Sequence, residues 1–154
     1  YEIVSRRELN GIDGLGNAPS GVSIVATCNK KLLLLREFRM GVNRTIFNLC
    51  AGMLEKHETL EECIRRELYE ETGLRVKSIK AILPPSYAAV AISDTTTYIA
   101  FVEAEGEISG HTSDNEEIEA HFYTREEVRT LLESEPFSSR AQMAAYFFAA
   151  YENF

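Results

Sequence analysis

The apolar positions of this chain change period several times, and each change marks an element. Val22–Cys28 and Leu32–Glu37 are apolar runs joined at Asn29-Lys30, the pattern of two buried strands and a hairpin. Arg44–Leu49 predicts a short third strand. From Leu60 the period lengthens, with Leu60, Cys63, Ile64 and Leu68 recurring at helical spacing. Thr59 and Glu62 form the pattern of a capping box, and Gly73 stands where a left-handed residue would end a helix, so a helix is expected over 59–72. Val76–Leu83 alternates as a strand does, and Pro84-Pro85 should break it. Thr95–Ala104 is strand by propensity, and Ile118–Tyr123 predicts another strand. Thr124 and Glu127 open a second helix running to about Glu133; Ser138 or Ser139 caps a last one through Tyr151. Tyr1–Arg7 is β-prone, and Asn10–Ser20 and Glu105–Asn115 read as loops. Mixed strands with helices on both sides predict an α/β sandwich.

On a helix over 59–72, residues advance by about 100° each. Glu67, Glu70 and Glu71 then share one side, which overlaps the stripe of Leu60, Cys63 and Ile64. Carboxylates at i, i+3 and i+4 repel by a few tenths of a kcal/mol per pair on an exposed helix. The cost rises on a face that packs inward. A cation should compensate. Oxygen-only donors in this arrangement suit hard divalent ions such as Mg²⁺, Mn²⁺ or Ca²⁺. A solvated acidic face is the other reading that the bare helix leaves open.

The chain has 154 residues, 45% hydrophobic and 26% charged, which suits one domain with a real core. Its formal net charge is −8, with no basic run, and this disfavours nucleic acid as a partner. An acidic protein acting on an anionic substrate needs bound cations, in keeping with the carboxylate cluster. Cys28, Cys50 and Cys63 lie in apolar surroundings without metal-ligand spacing, and read as thiols of a reducing cytoplasm. No signal peptide or long apolar run suggests a membrane partner. The chain opens on Tyr1 inside a strand-like pattern, so a few residues are expected to precede it. Tyr146, Phe147, Phe148 and Tyr151 crowd the last helix; core packing is the first reading and a subunit interface the second.

Gly52, five residues, Glu58, seven residues and then Arg66-Glu67-Leu68-Tyr69-Glu70-Glu71-Thr72-Gly73-Leu74 together resemble a Nudix box. The resemblance implies a Nudix-type α/β/α sandwich with a mixed sheet, and metal-dependent hydrolysis of a diphosphate linked to a further group. By the same resemblance Glu67, Glu70 and Glu71 match the positions that hold catalytic metals, with Mg²⁺ first and Mn²⁺ as an alternative. Ala51 matches a position whose backbone carbonyl joins the metal shell. Arg66 and Glu58 match a pair that braces loop against helix.

The stretch from Leu33 to Asn43, followed by Leu49-Cys50-Ala51-Gly52, resembles the ADP-ribose pyrophosphatases. So do Asp114–Phe122 and the Ala-rich last helix. This implies a nucleoside-diphosphate-linked sugar as substrate, ADP-ribose being the first candidate, with Arg36 and Arg39 at its phosphate or base. It also implies a general base from the late acidic loop, for which Glu116 is the choice and Asp114 the runner-up. A homodimer formed through the N-terminal strand and loop (1–20) is implied as well. Two positions depart from that subfamily: Ala89 replaces its usual proline, and Asn48 its usual acid before the Ala-Gly pair. They extend the candidates to related nucleotide sugars. The alternatives are a nucleoside-triphosphate or oxidised-nucleotide pyrophosphohydrolase, and a catalytically weak ligand sensor of the same fold.

Overall fold

Leu32, Leu33, Leu34 and Leu35 are all buried, which a strand achieves only when both of its faces are covered. Leu33 and Leu35 pack with Cys63, Ile64 and Leu68 on one side. Leu32 and Leu34 pack with Val128, Ala141 and Phe148 on the other. The computed structural model describes residues 2–16, 20–109 and 118–152. They form an α/β/α sandwich around a mixed seven-stranded sheet. Its strands are β1 (Ser20–Cys28), β2 (Lys31–Arg39), β3 (Arg44–Asn48), β4 (Cys50–Met53), β5 (Arg75–Tyr87), β6 (Thr96–Glu105) and β7 (Ile118–Tyr123). Helix α1 (Leu60–Thr72) covers one face, and α2 (Arg125–Ser134) with α3 (Ser139–Ala150) covers the other. Among the described residues no helix is long and apolar enough to cross a membrane.

The sheet contains a fork. Asn29 and Lys30 take φ values of 47° and 63°, as a tight two-residue hairpin requires. Beyond that turn β1 and β2 pair only at Thr27↔Leu32 and Cys28↔Lys31. The two strands then diverge, and β3 and β4 fill the gap in turn. β3 runs along β2 from Asn48 back to Arg44, while Cys50–Met53 crosses to pair with Gly21–Ile24 of β1. Ala51 and Gly52 therefore sit inside the fork, on backbone held by β1.

Three expectations need correction. Pro84-Pro85 does not end β5, which runs on to Tyr87 with a register shift between Leu83 and Ser86. β5 is the last strand of the sheet, where a residue lacking N–H leaves no ladder bond unmade. Tyr1–Arg7 makes no strand among its described residues; Val4 alone bridges to Ser93. Both edges of β1 are already taken by β6 and by β4 with β2, so this segment has no β1 edge to join. Of the aromatic residues at the end of the chain, Phe148 is core, whereas Tyr146, Phe147 and Tyr151 are exposed.

A polar chain links β2, β3 and α3. Glu37 is buried, and Arg39 Nε donates to it at 2.8 Å. Asn48 Nδ2 also donates to Glu37, and Asn48 Oδ1 accepts from Ser138 Oγ at 2.6 Å. Ser138 in turn caps α3 by accepting from Ala141 N–H. An acid at position 48 would lose the donor and place a second negative charge against Glu37. Asn48→Asp is expected to cost about 2 kcal/mol at neutral pH, the range for a buried polar group left unsatisfied. Part of that loss should be regained as pH falls and the new pair takes up a proton. Thermal melts of both proteins from about pH 4 to 8 test this; equal midpoints at neutral pH would show that Glu37 does not depend on the amide.

Candidate active site

Helix α1 starts and stops where its sequence dictates. Thr59 accepts from Glu62 N–H while the Glu62 carboxylate accepts from Thr59 N–H, and Gly73 closes the helix at φ 76°. Arg66 ties the preceding loop to this helix. Its Nε and Nη2 donate to the two Glu58 oxygens at 2.7 and 2.9 Å, and Nη2 also donates to the Met53 carbonyl at 3.1 Å. Nη1 donates to Glu67 at 2.8 Å and to Glu70 at 3.1 Å. The hydrogen bonds from Arg66 hold the Glu58 carboxyl down at about 2.

Glu67 owes its position to a missing side chain. A Cβ on Gly52 would stand 1.8 Å from Glu67 Cδ, so the carboxylate lies directly against the Gly52 backbone. Any larger residue there would displace the free end of Glu67 before it moved the strand. The Glu67 side chain is 12% exposed. Burial pushes its carboxyl above the ordinary range, and Arg66 pulls the other way. Glu71 lies beside the Cys50 thiol and accepts from Ala51 N–H at 3.2 Å. Among the described residues no cationic side chain pairs with it, and burial pushes its carboxyl up to about 7. Glu70 is 57% exposed. Burial also raises the Cys50 thiol, and raises Cys63 to about 12, so neither is a thiolate at neutral pH.

Among the described residues, no group of three or more His, Cys, Asp or Glu side chains is already set to hold a metal ion. Glu67 and Glu70 are turned to Arg66, while Glu71 points to the Ala51 N–H. The donor chemistry nonetheless fits a hard divalent cation. All three side chains offer oxygen, two of them are drawn inward against the cost of desolvation, and Glu71 has no counter-charge among the described residues.

A cleft of about 390 Å³ opens at the fork, lined by Ala51, Gly52, Arg39, Arg6 and Arg140 among others. Arg39 thus stands at the site. Arg36 does not line this cleft; it is exposed and pairs with Glu119 of β7 at 3.5 Å. Asp114 and Glu116 lie outside the described residues. Arg6 and Arg140 were not singled out in the sequence. For Arg140 a signal existed, because it is a cation in the first turn of a helix, where the macrodipole disfavours one.

A model of the NUDIX domain family matches residues 18–146. The chain is 30% identical over 119 residues to the ADP-ribose pyrophosphatase of Bacillus subtilis (strain 168), covering 75% of this chain and 64% of that protein. It is 28% identical over 124 residues to the ADP-ribose pyrophosphatase of Escherichia coli (strain K12), covering 75% and 59%. The chain therefore spans less than two thirds of the length of either relative. A stretch of 57 residues is 42% identical to the NAD-capped RNA hydrolase NudC of Vibrio parahaemolyticus, covering 37% of this chain and 22% of that one. Among solved structures, an ADP compounds hydrolase superposes with a TM-score of 0.68 at 22% identity, over 84% of this chain and 69% of that one; this likeness is one of fold.

The environment of Glu71 has a consequence for stability. Its folded carboxyl titrates at about 7 against an ordinary 4.5, so the folded state holds the proton more tightly than the unfolded state does. That contribution is present below the ordinary value and is lost as pH rises through the folded one, by roughly 3 kcal/mol at most. Glu71→Gln keeps an oxygen for the Ala51 N–H and removes the titration. In metal-free buffer the variant should melt above the parent at pH 8, with the gap closing toward pH 5. A gap that is constant with pH would show that Glu71 is not held against its charge.

Proposed function

This chain belongs to the Nudix domain family, and from that premise we propose that it hydrolyses the diphosphate bond of a nucleoside-diphosphate-linked sugar, ADP-ribose being the first candidate. Glu67, Glu70, Glu71 and the Ala51 carbonyl would hold the divalent metal, Mg²⁺ or Mn²⁺. Such a metal, when bound, supplies charge neutralisation at the diphosphate oxygens and a water of lowered pKa. The chain's own groups do the rest. Arg66 and Glu58 fix the loop so that Gly52 and Glu67 keep their contact. Arg39 offers a guanidinium to a phosphoryl oxygen of the substrate. Glu116, with Asp114 as the alternative, takes the proton from the attacking water. ADP-ribose would leave as AMP and ribose 5-phosphate.

The observation that carries this reading is the juxtaposition at the fork. Two inward-drawn carboxylates, Glu67 and Glu71, contact the backbone of Gly52 and Ala51, and that backbone lines an arginine-bearing cleft. An acidic, oxygen-only donor set beside cationic groups suits a metal and a diphosphate together. The cleft and both cores belong to one domain, 1–154. The free thiols Cys50 and Cys63 accord with a reducing cytoplasm. A second copy of the chain is the proposed partner at the N-terminal face, where exposed Ile3 lines a pocket with exposed Val90 and Ile92, and exposed Val4 donates its N–H to the Ile92 carbonyl. Light scattering after size-exclusion chromatography should give twice the mass of one chain; a monomer at high concentration would remove the dimer.

The direct test is turnover of a panel containing ADP-ribose, UDP-glucose, GDP-mannose, a diadenosine polyphosphate and nucleoside triphosphates, with Mg²⁺. AMP with ribose 5-phosphate from ADP-ribose is the expected result. Pyrophosphate released from a triphosphate would replace this reading with the triphosphate one, and no turnover would favour a ligand sensor. Glu67→Gln is expected to lower turnover by orders of magnitude while circular dichroism shows the fold intact. Undiminished activity in that variant would refute the metal assignment.

A further inference from the structure

Arg140 occupies a place that ordinarily suits a cation poorly. It lies in the first turn of α3, whose positive end repels a cation. It is half-buried, and burial disfavours its charged form. Among the described residues no acceptor or carboxylate pairs with it, although the chain carries a formal net charge of −8 and Arg39, one of the two other arginines that line the cleft, has Glu37. A guanidinium kept half-buried and without a counter-charge is expected to destabilise the empty protein.

The chain fixes Arg140 there firmly. The start of α3 is bound to β3 by three hydrogen bonds, from Phe47 N–H to the Pro136 carbonyl at 2.8 Å, from Ser138 N–H to the Phe47 carbonyl at 2.9 Å, and from Ser138 Oγ to Asn48 at 2.6 Å. β3 leads directly into Ala51 and Gly52, so the same backbone that places the α1 carboxylates also places Arg140. Arg140 lines the cleft with Ala51, Gly52 and Arg39. Two buried hydroxyls also line the cleft: Ser23 and Thr97, only 2% and 5% exposed, stand 3.4 Å from one another. Ser23 and Thr97 lie on the α3 side of the sheet, alternating with Val22, Ile24, Ala100 and Val102 on the α1 side. Arg140 therefore enters the cleft from the α3 side, opposite the α1 carboxylates, whereas Arg39 leaves β2 on the α1 face that carries Leu33, Leu35 and Glu37.

We propose that Arg140 is a substrate-binding residue that takes the phosphoryl group turned away from the α1 carboxylates. This rests on the reading of the site as a diphosphate site, and it adds what that reading lacked, a residue that separates the two phosphoryl groups. The planar fork of arginine matches two phosphate oxygens at once, so lysine should replace it only in part.

The test is calorimetric titration of methylenediphosphonate, a diphosphate that cannot be cleaved, into the whole chain with Mg²⁺, for the parent, Arg140→Gln and Arg140→Lys, alongside the turnover panel. Arg140→Gln should bind about tenfold to a hundredfold more weakly, the range for a charge-assisted hydrogen bond, with Arg140→Lys between. Metal-free Arg140→Gln should melt at or above the parent, because an unpaired charge has been removed. Equal affinity in parent and Arg140→Gln, no binding by the parent, or a lowered melting point that accounts for the loss would each overturn the assignment. Arg140-dependent binding without turnover of any panel member would uphold the residue and overturn the proposed hydrolysis. Turnover of ADP-ribose with affinity indifferent to Arg140 would do the reverse.

Discussion

Three carboxylates on one side of a helix repel one another, and turning that side toward the sheet makes the repulsion stronger. What permits it here is the guanidinium of Arg66. A guanidinium has five N–H donors in one plane, and Arg66 uses them on Glu58, the Met53 carbonyl, Glu67 and Glu70. The geometry matters as much as the charge. A lysine ammonium at the same place has three donors at one point and could not reach back to Met53 and forward to Glu70 together. Because Met53 ends β4, the contact also fixes where β4 lies against α1, and so the space into which the Glu67 carboxylate fits beside Gly52.

The divergence of β1 and β2 gives that contact its consequence. In an unbroken hairpin the strand after the turn would occupy the edge of β1, and Ala51 and Gly52 would have no bare backbone to present. The early split sends β2 to β3 and β7, and leaves the first half of β1 for Cys50–Met53. The fork is thus built from non-local pairings whose position is set by the short Asn29-Lys30 turn. Helix α3 is bound to the same β3 that enters the fork, so both layers of the sandwich refer their positions to one piece of backbone.

The sequence was most legible where local chemistry decides the outcome. The two capping boxes, the Asn29-Lys30 turn, the left-handed Gly73 and the double-sided burial of Leu32–Leu35 all follow from short-range patterns, and all are present. It was least legible where tertiary position decides. Pro84-Pro85 reads as a strand end, yet on the last strand of a sheet a missing N–H has no consequence. Tyr146, Phe147 and Phe148 are alike in sequence, but only one of three successive helical residues can face the sheet. Arg36 and Arg39 are alike as arginines near the end of one strand. They are three residues apart on a strand of period two, so they leave the sheet on opposite faces, and only Arg39 reaches the cleft.

The same parity argument bears on Asn48. An acid at this position would sit on the face that carries Glu37 and, beyond it, Glu71, whose carboxyl is already raised by burial and by the charge of Glu37. A further negative charge there would raise the carboxyls around it and leave Glu37 without its amide donor. An amide instead donates to Glu37 and accepts from Ser138 in one step. The choice of Asn48 therefore limits the negative charge gathered behind the fork to what Arg66 and Arg39 can offset. It leaves Glu71 as the described carboxylate at the site with no cationic side chain against it, and thereby as the place where an incoming cation changes the energy of the folded chain most.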